Sequence, residues 1–271
     1  MSHGISQLTH RSSKETPHVA LKDVSLSIAP NTKTAICGRT GSGKTTLLLA
    51  LLKLVDSEGS ITIDNIPHAT ISRNFLRERL IVVSDEAFLL PGGSLRENLN
   101  PHAYAVDDSV LCTILQEVLL WDVFSAASNT AQETPTTTLP ECEAPQEVTP
   151  SLSGLLSASI SSTPLSHGQK QLFALARALV RQLARGADAG GLVILDEATS
   201  RTDKTTDAVL QRVIRKFFAR CTLVVIAHRL ESVMDFEKVV VLDKGRVVES
   251  GSPEELRVAG GLFAGMLGEA T

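Results

Sequence analysis

The sequence has no uninterrupted apolar run long enough to cross a membrane. A span needs about 20 apolar residues, and the apolar run that begins at Thr45 stops at Lys53. The first 18 residues also lack the apolar core of a secretory signal peptide. We therefore expect a chain that carries no transmembrane segment of its own.

Basic residues are too dispersed to form a nucleic-acid-binding surface. The formal net charge is −4 at pH 7, and lysines and arginines never cluster beyond a few residues, which argues against nucleic acid as a partner. The cysteines Cys37, Cys112, Cys142 and Cys221 also lack the short spacing of metal ligands. We expect them to be reduced thiols in a cytosolic compartment.

Residues 126–164 lack lysine and arginine altogether. The segment holds five of the eleven prolines and four glutamates. It offers too little apolar surface to offset the entropy lost on ordering, so its composition predicts a disordered or loosely packed insert. Two roles stay open for it: a regulatory or phosphorylated element, or a surface insertion that is tolerated because longer loops cost little entropy.

The length and composition of the chain are those of one α/β domain. Of its 271 residues, 43% are hydrophobic, which is enough for a full core. Short apolar strands alternate with helix-like runs, and this alternation predicts a mainly parallel sheet with its ligand at the carboxyl ends of the strands. A hairpin of residues 238–243 and 246–250 across Lys244-Gly245 adds antiparallel structure.

One glycine-rich segment fits the phosphate-binding P-loop pattern G-x-x-x-x-G-K-[ST]. It follows an apolar segment, Lys33–Cys37, and precedes a helix-prone run at residues 47–54. Its glycines let backbone N–H groups point at nucleotide phosphates, Lys44 supplies a positive charge near the β- and γ-phosphates, and the Thr45 hydroxyl is a suitable Mg²⁺ ligand. The candidate ATP-binding residues are Gly38, Arg39, Thr40, Gly41, Ser42, Gly43, Lys44, Thr45 and Thr46.

Four further motifs follow in order, and together they oppose the alternative of a simple glycine-rich turn. They are LSHGQ at residues 165–169, LVILDE at 192–197, SRTD at 200–203 and LVVIAHR at 223–229. With the P-loop, this order resembles the nucleotide-binding domain of ABC transporters, with its Walker A, signature, Walker B, D-loop and H-loop motifs. The resemblance covers roughly residues 19–123 and 164–267.

The residues of these motifs resemble those of one subfamily in particular. LSHGQKQLFALARAL and LDEATS are similar to the second nucleotide-binding domain of subfamily C, the multidrug-resistance-protein type, and His167 within the signature resembles its fungal members. The implied fold is an α/β, ABC-type P-loop NTPase with a mainly parallel sheet core, antiparallel β elements and a helical subdomain. The ATPase domain would span residues 19–268, with the helical subdomain at approximately 86–183 and a poorly defined segment at 1–18.

The resemblance also implies roles for the acidic and histidine residues. Asp196 would orient Mg²⁺ together with Thr45, and Glu197 would act as the general base on the attacking water. An acidic pair at a strand end otherwise serves as a helix cap, but the apolar run before it favours the Walker B interpretation. His228 would contact the γ-phosphate. Asp85 falls where the family carries a glutamine, and its carboxylate would still be able to ligate Mg²⁺.

The signature is implied to act across a dimer. Its residues would bind the γ-phosphate held by the P-loop of a partner, so a single copy cannot complete a site. The residues assigned to this contact in trans are Ser166, His167, Gly168, Gln169 and Asp203. The implied partners are a second nucleotide-binding domain, in a homodimer or a partner half, and ABC transmembrane domains. The implied location is the cytoplasmic face of a membrane, in an exporter.

Two departures from the family pattern leave open whether the chain hydrolyses ATP. One is Asp85; the other is the lack of any Phe, Tyr or Trp at residues 4–18 to stack on adenine, which leaves His10 as the candidate ring. Losing a stack worth about 1–3 kcal/mol weakens binding roughly tenfold or more. Two alternatives therefore stand beside an exporter ATPase: a degenerate ATP-binding module without turnover, and a soluble, non-transport ABC ATPase.

Overall fold

The computed structural model describes residues 3–11, 19–84, 87–130, 152–186, 189–196, 204–227 and 229–269. The chain forms two compact units. The first comprises Met1–Ser84, Asp188–Ser200 and Phe218–Thr271, and the second comprises Asp85–Ala187 and Arg201–Phe217. The predicted helical subdomain at 86–183 falls within the second unit, which also takes in a helix that the prediction left out.

The described strands all belong to the first unit. They are β1 (His3–Arg11), β2 (Val19–Ile28), β3 (Lys33–Cys37), β4 (Glu58–Ile63), β5 (Ile66–Pro67), β6 (Leu80–Val83), β7 (Leu192–Asp196), β8 (Thr222–Ile226), β9 (Lys238–Asp243) and β10 (Arg246–Gly251). Its helices are α1 (Lys44–Leu51), α2 (Arg73–Arg79), α9 (Pro253–Ala259) and α10 (Leu262–Glu269).

A six-stranded sheet carries the P-loop and has the order β10-β9-β3-β8-β7-β6. Its strands pair in parallel from β9 to β6, and only the β9–β10 hairpin is antiparallel. The four central strands are almost continuously apolar, as strands covered on both faces are. The predicted mainly parallel sheet with an antiparallel hairpin is confirmed.

A second, antiparallel sheet has the order β2-β1-β4-β5. Its strand β1 corrects our prediction of a poorly defined segment at 1–18, because residues 3–11 pair with both β2 and β4. The pairing register shifts between Ile5 and Leu8 and again up to Arg11. Such irregularities break the two-residue alternation by which a strand is recognised in a sequence, so no periodic signal was present.

The core of the first unit lies where α1 and β2 meet the parallel sheet. One face of β2 is buried, and α1 buries four of its apolar side chains. The members of this cluster include Leu21, Val24, Leu26 and Ile28 of β2, Leu47, Leu48, Ala50 and Leu51 of α1, and Ile36, Ile194, Val224, Ile226, Val240 and Leu242 of the sheet. Burial of these side chains fixes the start of α1, and with it the P-loop, against the sheet.

The second unit is helical in its described part. It contains α3 (Leu95–Leu99), α4 (Asp108–Glu117), α5 (Trp121–Thr130), α6 (Leu152–Ser157), α7 (His167–Arg185) and α8 (Lys204–Phe217). The longest, α7, is amphipathic and buries a continuous apolar face that includes Phe173, Leu175 and Leu179.

Part of the predicted disordered insert at 126–164 is ordered, and for that part the prediction is wrong. Helix α6 packs against α3, α4 and α5, and Leu155 and Leu156 are at most 1% exposed. After it, the Ala158 carbonyl accepts a hydrogen bond from Leu95 N–H at 2.8 Å. The prediction from composition failed for this segment because its few apolar residues lie on one side of a short helix. Residues 131–151 lie outside the described residues.

Within the described ranges, no single helix is both long and apolar enough to cross a membrane. Helices α4 and α5 pass a test of length and composition only as a pair, and they meet at a bend of 110°.

The packing of α6 predicts unequal costs for two leucine truncations in that helix. Leu156 is 0% exposed and Leu152 is 45% exposed. We expect Leu156→Ala to lower the free energy of unfolding by about 2–5 kcal/mol and the matched control Leu152→Ala by about 0.5 kcal/mol or less. Urea unfolding followed by the fluorescence of Trp121, the sole tryptophan, measures this in the second unit. Equal losses would show that α6 is not packed.

Candidate functional site

The carboxyl ends of the central strands bring the P-loop and the Walker B strand to one edge of the sheet. Ile36 of β3 pairs with Ile226 of β8, and Ile226 pairs in turn with Asp196 of β7. Adjacent strands are separated by about 4.8 Å, so the backbone of Asp196 lies about 10 Å from the point where the P-loop begins. The sheet register thus supports the predicted joint use of the P-loop and Asp196.

Residues from elsewhere in the first unit pack closely against two glycines of the P-loop. Gly38 has φ 149°, and a Cβ built on it would lie 2.2 Å from the Leu242 carbonyl oxygen of β9. Gly43 has φ 105°, and its Cβ would lie 2.8 Å from Leu21 Cδ2 of β2. A Cβ on Gly38 would therefore displace backbone, and a Cβ on Gly43 would displace the Leu21 side chain; both positive φ values also favour glycine.

Two backbone hydrogen bonds add to these contacts, and we call the whole set of contacts of the P-loop with β2, β9 and the β9–β10 turn the P-loop clamp. Gly245 N–H, in the β9–β10 turn, donates to the Ser42 carbonyl at 3.0 Å, and the Gly245 carbonyl accepts from Lys22 N–H of β2 at 2.7 Å. Ser42 is only 3% exposed. The P-loop is therefore held from both sides, by β2 and by the β9–β10 turn, before any phosphate is bound.

The Lys44 side chain folds back over the P-loop. Its Nζ donates to the Gly38 carbonyl at 2.7 Å and to the Arg39 carbonyl at 3.2 Å, and the residue is 6% exposed. A buried ammonium group requires acceptors, and phosphate oxygens are stronger acceptors than carbonyls. Together with the glycine-lined loop at the start of α1, this arrangement fits a triphosphate.

The remaining P-loop side chains differ in exposure. Thr45 and Thr40 are exposed and Thr46 is half-buried, so the Thr45 hydroxyl is accessible to an ion at the strand ends. Asp196 is half-buried at the end of β7. Four other predicted site residues, Asp85, Glu197, Asp203 and His228, lie outside the described residues.

The cysteine that precedes the P-loop has a buried thiol of low reactivity. Cys37 is 0% exposed. Burial raises the pKa of its thiol to about 12, against the opposing influence of the Lys44 charge. A thiol in this environment stays protonated at neutral pH and is a poor nucleophile.

In the second unit, the signature residues cap the N-terminus of α7. Ser166 Oγ accepts a hydrogen bond from Gln169 N–H at 3.2 Å, and Gln169 Oε1 accepts from Ser166 N–H at 2.8 Å. Sequence reasoning assigned both side chains to a phosphate and missed this capping box. His167 Nε2 lies 3.3 Å from Gln171 Nε2. A Cβ on Gly168 would lie 3.2 Å from Thr206 Oγ1 of α8, so glycine permits close packing of α7 and α8.

The sequence indicated only part of the contact between the P-loop and the β9–β10 turn. Lys244-Gly245 was recognised as a hairpin turn, but its contact with Ser42 joins residues 203 positions apart and leaves no local pattern. The His10 backbone pairs with Leu21 in the β1–β2 ladder, which no feature of residues 1–18 indicated.

The clamp predicts different effects for alanine at two P-loop glycines. Gly41 also has positive φ, 79°, but nothing lies within 4 Å of its Cβ position. We expect Gly38→Ala to cost about 2–5 kcal/mol of stability and to weaken ATP binding, because it adds a backbone clash to backbone strain. The matched control Gly41→Ala should cost about 1 kcal/mol, from strain alone. Urea unfolding and nucleotide titration measure both, and equal effects would contradict the clamp.

Burial of Cys37 predicts protection from alkylation. In the native chain at pH 9, we expect iodoacetamide to leave Cys37 unmodified, whereas the same chain in urea is modified fully, as mass spectrometry of the peptides would show. Because the folded pKa is raised above the ordinary 9.0, the stability linked to this thiol is complete below pH 9 and is lost as the pH rises towards 12. Rapid native alkylation would contradict the burial.

Comparison with known proteins agrees with this geometry. The family model described as ABC transporter matches residues 21–200, which is more than half of the chain. ABC transporter FGM5 of Gibberella zeae is 38% identical over 252 residues, which cover 90% of this chain and 15% of that protein. ABC multidrug transporter B of Aspergillus fumigatus is 40% identical over 234 residues, which cover 86% of this chain and 14% of that protein.

A solved structure shares the fold. A bacterial Atm1-family ABC exporter with ATP bound matches with a TM-score of 0.77 at 24% identity, over 100% of this chain and 42% of that chain. The chain spans about 15% of the length of the two fungal relatives. With the family model matched across the P-loop, the signature and the Walker B strand, the chain belongs to the ABC transporter family.

Proposed function

We propose that this chain is an ATP-binding and ATP-hydrolysing domain that powers transport in an ABC exporter. The observation that carries the proposal is the preformed P-loop, in which Lys44 is buried against the loop carbonyls and Gly38 and Gly43 permit close backbone contacts. Membership of the ABC transporter family supports the same activity. The solved structure that shares the fold was determined with ATP bound.

Lys44 would contact the β- and γ-phosphates, and the start of α1 would present backbone N–H groups to them. The Thr45 hydroxyl and Asp196 carboxylate are the groups suited to Mg²⁺, with Asp85 as a further ligand. Bound there, Mg²⁺ would neutralise negative charge on the phosphate oxygens.

Hydrolysis would depend on two residues that follow strands of the parallel sheet. Glu197, next to Asp196, would accept the proton of the attacking water, and His228 would hold the γ-phosphate in position. Phosphoryl transfer asks mainly for positioning and charge stabilisation, which matches donors preorganised at the ends of a rigid sheet.

The complete site would form between two nucleotide-binding domains arranged head to tail. In that arrangement Ser166, His167, Gly168, Gln169 and Asp203 would face the γ-phosphate bound by the partner P-loop. Ser166 and Gln169 would exchange part of their mutual capping for the phosphate, which is favoured at a helix N-terminus. The partner domain would be a second copy or a different half.

The motifs favour the second nucleotide-binding domain of subfamily C, of the multidrug-resistance-protein type. The two curated relatives described above are fungal, as His167 within the signature suggested. In such an exporter the domain would lie at the cytoplasmic face of a membrane, attached to ABC transmembrane domains.

One alternative has specific support: a degenerate domain that binds ATP without turning it over. Asp85 in place of glutamine and the lack of an aromatic residue at 4–18 favour it, because each would weaken a contact to water or nucleotide. The presence of Glu197, His228 and Asp203 at the positions expected for hydrolysis opposes it.

Steady-state MgATP hydrolysis across a range of protein concentrations tests the proposal. We expect the rate per molecule to rise with concentration, because a site needs two chains or a chain and its partner. Glu197→Gln should reduce the rate about a hundredfold or more, since general-base catalysis contributes roughly 10²–10⁴-fold, while ATP binding persists.

Asp85→Gln is the variant that discriminates the alternative. If the wild type binds ATP but hydrolyses it no faster than Glu197→Gln, even with a partner domain supplied, the degenerate module is favoured. Restored turnover in Asp85→Gln would then identify Asp85 as the cause. Failure to bind ATP at all would contradict both readings.

A further inference from the structure

The Arg177 side chain of helix α7 makes three hydrogen bonds and a cation–π contact within the second unit. Its Nε donates to the Asn98 carbonyl at 2.5 Å, one terminal nitrogen donates to the Phe88 carbonyl at 2.5 Å, and the other lies 3.3 Å from Asn98 Oδ1. The guanidinium also lies over the Phe173 ring, 5.2 Å from its centroid. One side chain thus joins α7 to α3 and to the loop before α3.

Asn98 extends this contact into a network. It is 0% exposed, its Oδ1 accepts from Leu90 N–H at 2.7 Å, and its Nδ2 donates to the Leu90 and Ser94 carbonyls at 3.2 and 3.0 Å. A buried amide with these partners is satisfied and geometrically constrained. Arg177 and Asn98 together therefore hold residues 87–93, here called the 87–93 loop, by its backbone.

Ala87 is buried and Leu89 is half-buried, but the other two apolar side chains of the 87–93 loop are exposed. Phe88 is 74% exposed and Leu90 is 40% exposed. Burial of apolar area is the usual source of loop order, and it is small here. The position of the loop is therefore decided mainly by the hydrogen bonds to its carbonyl and N–H groups, of which Arg177 provides the charged one.

The same helix carries the signature. Ser166 caps α7, and Arg177 lies about three turns further along the same helix. Because α7 is long and buried along one face, it moves as a rigid element. A change in the position of the 87–93 loop would therefore reach Ser166 and Gln169 through Arg177.

We propose that Arg177 is a positioning residue that ties the 87–93 loop to the signature helix and so holds Ser166 and Gln169 ready for a partner nucleotide. Arg177 contacts no nucleotide itself; it acts through the loop and through α7. The part of this inference that concerns hydrolysis rests on the proposed function, whereas the mechanical tie does not.

Arg177→Lys is the decisive variant. Lysine keeps the positive charge but lacks the planar fork that reaches two backbone carbonyls and an amide together. The matched control is Arg212→Lys: Arg212 lies on α8 of the same unit and also donates to a backbone carbonyl, that of Glu117 at 2.7 Å. Hydrogen–deuterium exchange of the full chain, without nucleotide, reads out each amide.

We expect Arg177→Lys to speed exchange at Leu90 N–H and at Gln169 and Lys170 N–H by about tenfold or more, the effect of losing one charge-assisted hydrogen bond. Exchange in α4 and α5 should stay unchanged. A rise spread evenly over α3, α4, α5 and α7 would indicate a merely structural role and overturn the proposal. Unchanged exchange at Leu90, or the same pattern in Arg212→Lys, would overturn it as well.

Hydrolysis provides the second readout. Arg177→Lys should leave ATP affinity at the P-loop within about twofold, since the P-loop belongs to the other unit, and lower the concentration-dependent rate about tenfold. Equal losses of affinity and rate would contradict a positioning role. If the wild type does not hydrolyse ATP, the proposed function fails, and the exchange pattern still decides the role of Arg177.

Discussion

The close packing of β2, β9 and the β9–β10 turn around the P-loop is the constraint on which the candidate nucleotide site depends. The Leu242 carbonyl of β9 leaves no room for a Cβ on Gly38, and the Leu21 side chain of β2 leaves none on Gly43. The Ala20 carbonyl of β2 in turn leaves no room for a Cβ on Gly245 of the β9–β10 turn. Gly245 N–H donates to the Ser42 carbonyl of the loop, and the Gly245 carbonyl accepts from Lys22 N–H of β2. Because the loop is held by backbone on both sides, its N–H groups are oriented before a phosphate arrives, and the ordering cost of binding is small.

This constraint also explains the arrangement of charges. Lys44 is buried because the loop curls over it, and its ammonium group is satisfied by the Gly38 and Arg39 carbonyls. The same burial keeps the Cys37 thiol protonated, with a pKa of about 12. The loop thus presents the buried Lys44 cation, and no competing thiolate, to an incoming anion.

The second unit is ordered by different means. Its apolar faces pack around α7, but the 87–93 loop is fixed by the polar pair Arg177 and Asn98 and leaves Phe88 exposed. Burial lowers the pKa of the Arg177 guanidinium, and its three acceptors offset the cost of removing that charge from water. A loop held by a few directional bonds shifts more readily than one held by a packed core.

Much of the fold was predictable from local patterns. The apolar segment Lys33–Cys37 coincides with β3, and the predicted hairpin of residues 238–243 and 246–250 matches β9 and β10 to within one residue. Two elements were missed for physical reasons. Strand β1 has register shifts that remove its alternation, and α6 buries only a few leucines within a segment whose composition is otherwise polar.

The sequence by itself determined the chemistry of the candidate site, because phosphate binding needs glycines, Lys44 and Thr45 at short, contiguous spacing. It also placed Asp196 at the end of a buried strand, as β7 shows, because an apolar run that ends in a carboxylate is a local pattern. Only the tertiary structure decided which distant backbone atoms close on the P-loop and which carbonyls Arg177 holds. Those contacts join residues up to about two hundred positions apart, and they depend on sheet register and helix packing, which no local pattern specifies.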